Sequence, residues 1–212
     1  MPEKKSQQST SNHSLTPRPY LSWSQLSLFE SSPERYKKVY IDGERLPINR
    51  GMAFGAGMAF GLEDDKATGD PVLDAVMTQI PKFEVMEMEI RADMKAEGET
   101  IPLLAKIDSA KKNLTGFKEF KTGQTRWTMK QVKESGQIDF YATVIFVKTG
   151  KIPWDMELVH VETKAGQDGK IAATGEIFRY PTIRTMSQVL NMMVRIKRAW
   201  AGIKELSERE LL

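Results

Sequence analysis

The stretch Ile101–Tyr141 constrains the fold more than any other part of this chain. Ile101–Asp108 is mostly apolar and ends on an acid. Leu114–Thr122 reads as a second strand, with Gly116 and Gly123 near its ends. Ser109–Asn113 between them is polar and turn-like, so the pair predicts a β-hairpin. Side chains alternate along a strand, which points Glu119 and Lys121 one way and leaves Phe120 for a core. Asp108 lies on the partner strand. Two carboxylates, together with backbone and water oxygens, suit a hard cation such as Mg2+ or Mn2+. A lysine beside them can add a point charge or orient a water. The competing expectation is a solvated ion pair of little energetic weight.

Thr128–Val147 is predicted as a helix, with Thr128 at its N-cap, Gly150 closing it and Gly136 a mild interruption. Gln137 and Tyr141 are four apart and share one face. An amide and a phenol facing a cleft could hold a phosphate or a base edge. Equally, Tyr141 could be a core-edge residue with its hydroxyl bonded to a neighbour. Trp127 either staples this helix or stacks on a base.

An Asp closing one strand, Glu119-x-Lys121 on the next, then Gln137-x-x-x-Tyr141 on a helix, resembles the PD-(D/E)XK nuclease superfamily. The third piece is similar to its RecB-like branch. The resemblance covers roughly Tyr20–Lys148. It implies a metal-dependent nuclease hydrolysing phosphodiester bonds of DNA, as an exonuclease or endonuclease in repair, recombination or phage and defence DNA processing. Asp108 and Glu119 would bind Mg2+ or Mn2+, and Lys121 would activate the attacking water. Gln137 and Tyr141 would orient the substrate. The products implied are a 5′-phosphate and a 3′-hydroxyl. RNA is left open as a substrate, because the catalytic groups recognise phosphate.

Upstream, Ser24-Gln25-x-x-x-Phe29-x-x-Ser32-Pro33-x-x-Tyr36 looks like the N-terminal segment of RecB-like nucleases. It lies in Leu21–Tyr40, predicted as a helical hairpin that Ser22 or Ser24 could cap and Pro33 interrupts. Gln25 could face DNA. Arg50–Asp65 is rich in Gly, Ala, Met and Phe, with small residues that allow close packing. In the family a helix here often reads Gly-x-x-x-His-x-x-x-Glu. Gly55 and Glu63 match its ends, and Ala59 stands where the metal-holding histidine is expected. Glu63, one turn on, could partly substitute or could be a helix-end surface acid.

Asp70–Pro81 predicts a short helix with Pro71 in its first turn. Lys82–Met94 alternates as a strand, with Glu87 and Glu89 on one face, and Glu97-Gly98-Glu99 turns into the next strand. Glu89 could reach the metal or face solvent. Met156–Lys164 and Lys170–Tyr180 form a second predicted hairpin, and its lone His160 is expected to be structural. Thr185–Leu206 is an amphipathic helix whose Arg195, Lys197, Arg198 and Lys204 form either a solvated face or a phosphate-tracking one.

The remaining composition narrows the classes. The 212 residues suffice for one domain with a substantial core. A net charge of +3 permits nucleic acid without demanding it. The chain has no cysteine, which excludes disulfides, thiolate metal sites and the cysteine-bound iron–sulfur cluster of some relatives. No apolar run is long enough for a bilayer and no signal-peptide pattern is present, so the expected location is cytoplasmic. Met1–Pro19, rich in Ser, Gln, Lys and Pro, is expected to be a disordered tail, or a basic arm through Lys4, Lys5 and Arg18. The predicted architecture is α/β: a central mixed β-sheet flanked by helices, as one nuclease-like domain over 20–212. DNA is the expected partner. No Gly-rich phosphate loop is present, so any ATP-driven unwinding would come from a helicase or recombination partner. The alternative is a catalytically weak nuclease-fold DNA-binding module, or an accessory subunit of a helicase–nuclease complex.

Overall fold

The computed structural model describes residues 16–45, 47, 49–167 and 169–209. The expected tail therefore lies mostly outside the described residues, although Thr16 is already buried and donates to the Arg18 carbonyl.

The elements run β1 (Leu21–Ser22), α1 (Trp23–Ser31), α2 (Pro33–Tyr36, continued by a π turn over Lys37–Ile41), α3 (Arg50–Asp64) and α4 (Pro71–Met77). Then come β2 (Val85–Ala96), β3 (Glu99–Ala110), β4 (Gly116–Gly123), α5 (Met129–Lys133), α6 (Gly136–Thr149), β5 (Asp155–Ala165), β6 (Ile171–Thr182) and α7 (Met186–Arg209). The six strands form one mixed sheet. β2 covers one edge of β3, and β4, β5 and β6 follow on the other side. β4 and β5 are parallel, and α5–α6 make the crossover between them. Helices cover both faces. One core packs Ile107, Phe117, Leu158, Phe140, Ile145 and Trp200 against α6 and α7. A second packs Phe120, Val159 and Val161 beneath α3 and α4, through Met58, Leu62 and Leu73. No helix among the described residues is long and apolar enough to cross a membrane.

β2 and β3 form the predicted hairpin through Glu97 and Gly98, both at positive φ (46° and 85°), as a two-residue turn matching strand twist requires. Their ladder keeps one register from Val85↔Ala110 to Ala96↔Glu99, with one rung absent where Glu87 faces Asp108. The β3–β4 ladder is only two rungs long, Ser109↔Lys118 and Ala110↔Phe117. Beyond it the strands part, and β1 pairs in parallel with β3 at Leu103 and Leu104.

The structure departs from the predicted elements in two places. The expected helix Thr128–Val147 is two helices. Thr128 and Gln131 form a capping box that starts α5, which ends at Lys133 with Glu134 as its C-cap, and α6 begins at Gly136. The break is fixed by tertiary contacts. A Cβ on Gly136 would lie 2.5 Å from the Trp23 ring. The buried Arg184 ion-pairs with Asp139 of α6 and donates to the Val132 carbonyl of α5 (2.8 Å). At the N-terminus the chain is extended through Leu21–Ser22 before α1 starts, because those two residues join the sheet.

α3 forms despite its glycines. Asn49 caps it by accepting the Met52 N–H (2.8 Å), and Asp65 ends it in the left-handed region. Gly55 lets α3 approach β4, since a Cβ there would stand 3.3 Å from Thr122 Oγ1.

Candidate active site

The parting of β3 and β4 makes the site. Where a third rung would form, the Phe120 N–H donates instead to the Asp108 carboxylate (2.6 Å). Asp108 therefore lies between the strands, half-buried, beside Glu119. As alternation requires, Phe120 packs into the α3–α4 core while Glu119 and Lys121 go the other way.

Glu119 is 2 % exposed. Its Oε1 accepts from Lys121 Nζ (2.6 Å), and its Oε2 is buried with no hydrogen-bond partner among the described residues. Lys121 Nζ also donates to Gln137 Oε1 (2.7 Å), and Gln137 Nε2 donates to Tyr141 Oη (2.8 Å). The Glu-x-Lys strand and the Gln-x-x-x-Tyr helix are thus joined in one chain of hydrogen bonds, Glu119–Lys121–Gln137–Tyr141. Gln137 reaches Lys121 because the break before Gly136 aims the first turn of α6 at the end of β4.

Burial dominates the electrostatics. It pushes the Glu119 carboxyl up to about 8; the Asp108 charge adds to this and Lys121 opposes it. Burial also raises Asp108, against the Phe120 N–H and Lys121. Tyr141 is raised by burial and by the Glu119 charge, so it stays a neutral hydroxyl. A desolvated carboxylate pair with an orphaned oxygen is a costly arrangement that a bound cation would relieve.

α3 roofs the cleft, with Met52, Gly55, Met58 and Ala59 above Asp108, Glu119 and Lys121. Lys121 also lines a second cleft, formed with Trp23, Trp127, Gln131 and Gln137. Trp127 packs against the core there while still facing this surface, so its two expected roles share one position.

The other candidates lie elsewhere. Gln25, expected to face DNA, is 2 % exposed, donating to the Tyr20 carbonyl and Ser22 Oγ and accepting from Tyr36 Oη (3.3 Å). Its seat is set by the turn into α1, which the pattern of polar residues did not reveal. Glu63 stands exposed near the end of α3 and does not line the cleft. Glu89 is exposed and pairs with Arg91 (3.7 Å). His160 is buried beside Phe178, and burial lowers its pKa. Arg195, Lys197 and Lys204 of α7 are engaged by Glu30, Glu97 and Glu99. Among the described residues no three carboxylate or histidine side chains converge as a ready metal centre. Asp108 and Glu119 with the free Glu119 Oε2 still fit a divalent cation whose remaining ligands are waters and backbone oxygens.

The fold, a mixed six-stranded sheet flanked by helices, is an α/β architecture with similar solved structures. In particular, the chain resembles the crystal structure of a "Putative exonuclease" from Eubacterium rectale, with a TM-score of 0.60 and 12 % identity, over 97 % of this chain and 88 % of that one. It also resembles an alkaline exonuclease (LHK-Exo) from Laribacter hongkongensis, with a TM-score of 0.51 and 12 % identity, over 90 % of this chain and 91 % of that one. No protein-family model and no curated protein sequence matches the chain.

Proposed function

We propose that the protein is a metal-dependent nuclease of the PD-(D/E)XK type, RecB-like in its motifs, that hydrolyses phosphodiester bonds of DNA. The observation that carries this reading is the hydrogen-bonded chain Glu119–Lys121–Gln137–Tyr141 beside Asp108 in one cleft. Asp108 and Glu119 are the carboxylates that would hold Mg2+ or Mn2+. The ion, when bound, would lower the pKa of a water and offset charge on the scissile phosphate.

The chain's own residues supply the rest. Lys121, held between Glu119 and Gln137, would direct its ammonium at the attacking water and at developing phosphoryl charge. Gln137 holds Lys121 at the cleft and is itself held by Tyr141. Water attacks phosphorus in line with the 3′-oxygen, the P–O3′ bond breaks, and a 5′-phosphate and 3′-hydroxyl remain.

The test is cleavage of single- and double-stranded DNA, linear and circular, with Mg2+ or Mn2+ and an EDTA blank. Asp108→Asn and Lys121→Met are expected to lower the rate about 10²–10³-fold each. A second reading, a catalytically weak DNA-binding module or partner-dependent subunit, is favoured by Ala59, which gives the cleft roof no ligand where the resemblance expects histidine. Folded wild type that binds DNA without cutting would decide for it.

A further inference from the structure

Glu87 sits in an unfavourable backbone position. Its φ is 49°, in the left-handed region, within a strand and without being glycine. Such a residue costs of order 1–3 kcal/mol and persists where its surroundings impose it, often at functional sites. It lies opposite Asp108, at the one absent rung of the β2–β3 ladder. Like charges directly opposed on a sheet repel. Its side chain is 14 % exposed and is ion-paired with Lys106.

In register Glu87 thus lies across from Asp108, and Asp108 in turn lines the cleft with Glu119, whose Oε2 is buried and has no partner among the described residues. The roof of the cleft brings nothing to such a group, because its α3 residues, Met52, Gly55, Met58 and Ala59 among them, carry no oxygen or nitrogen ligand. A third side-chain ligand would therefore come from the sheet, with the other positions left to waters and backbone oxygens.

Resting on the metal-dependent reading above, we propose that Glu87 is the third protein carboxylate of the divalent-cation site of Asp108 and Glu119, parked on Lys106 until a cation arrives. The exchange breaks one ion pair and relieves the repulsion between Glu87 and Asp108. Lys106 becomes a competitor of the cation.

The experiment is Mn2+ binding to the full chain without DNA, read by electron paramagnetic resonance. Glu87→Gln should weaken Kd about 10-fold or more. Lys106→Met should tighten it, and that gain should vanish in the Glu87→Gln background; a general charge effect would survive there. Glu87→Gly, which relaxes the backbone, should melt no lower than wild type yet bind Mn2+ as weakly as Glu87→Gln. A Glu87→Gln Kd within twofold of wild type, with binding lost in Asp108→Asn, overturns the role of Glu87 and leaves the nuclease reading intact. Wild type that binds no Mn2+ overturns the inference as well. If it also cuts no DNA, the nuclease reading falls with it.

Discussion

Glu119→Gln should change how stability depends on pH, and the structure gives both sign and size. In the folded protein burial places the Glu119 carboxyl at about 8, against an ordinary value of 4.5. Between those values the folded state binds a proton that the unfolded chain has released. Stability then falls as pH rises, because the slope follows protons bound in the unfolded state minus those in the native state. At about 1.36 kcal/mol per pH unit, the span from 4.5 to 8 makes this contribution about 5 kcal/mol. Glutamine has nearly the same shape and cannot ionise. The assay is urea unfolding of wild type and Glu119→Gln in EDTA from pH 4 to pH 9. The stability difference should move in favour of glutamine by up to about 1.4 kcal/mol per pH unit as pH rises towards 8, then level off. Taking the difference removes the titration of carboxyls such as Glu157, whose burial is outweighed by Arg179 and Lys118. A pH-independent difference would mean that Glu119 is already ionised in mild acid, and the reasoning from burial would be refuted.

Three further outcomes are expected. Arg184→Ala strands the partly buried Asp139 and frees the carbonyls that end α5, so it should cost about 3–5 kcal/mol in chemical denaturation. Gly136→Ala drives a methyl into Trp23; a loss of about 1–3 kcal/mol with a shifted tryptophan emission should report it. Gln137→Leu removes the link between Lys121 and Tyr141 while leaving the core filled, so cleavage should drop about 10²-fold at an unchanged melting temperature.

The arrangement of the candidate site was legible because three short patterns sit on regular elements. Period-two alternation told Phe120 from Glu119 and Lys121, and helical spacing put Gln137 and Tyr141 on one face. Sheet strands β2 to β6 follow from apolar alternation and turn residues for the same reason. What escaped depends on distant partners. The break between α5 and α6 is set by Trp23 and Arg184, far away in sequence. β1 is two residues long and exists only because β3 has a free edge there. Gln25 looks like a surface amide until Tyr36 and the Tyr20 carbonyl close around it. Glu87 and Glu89 share a predicted face, and only a positive φ tells the half-buried one from the solvated one.

The Asp108–Phe120 bond also makes the acid a spacer. Its oxygen takes the place of a backbone acceptor on the opposite strand, so the carboxylate wedges β3 away from β4 while presenting charge to the cleft. Truncation to alanine removes wedge and charge together and invites the ladder to close by further rungs. Asparagine keeps an oxygen for the Phe120 N–H and discards only the charge. The two substitutions are therefore different experiments: one reports on the shape of the cleft, the other on its electrostatics.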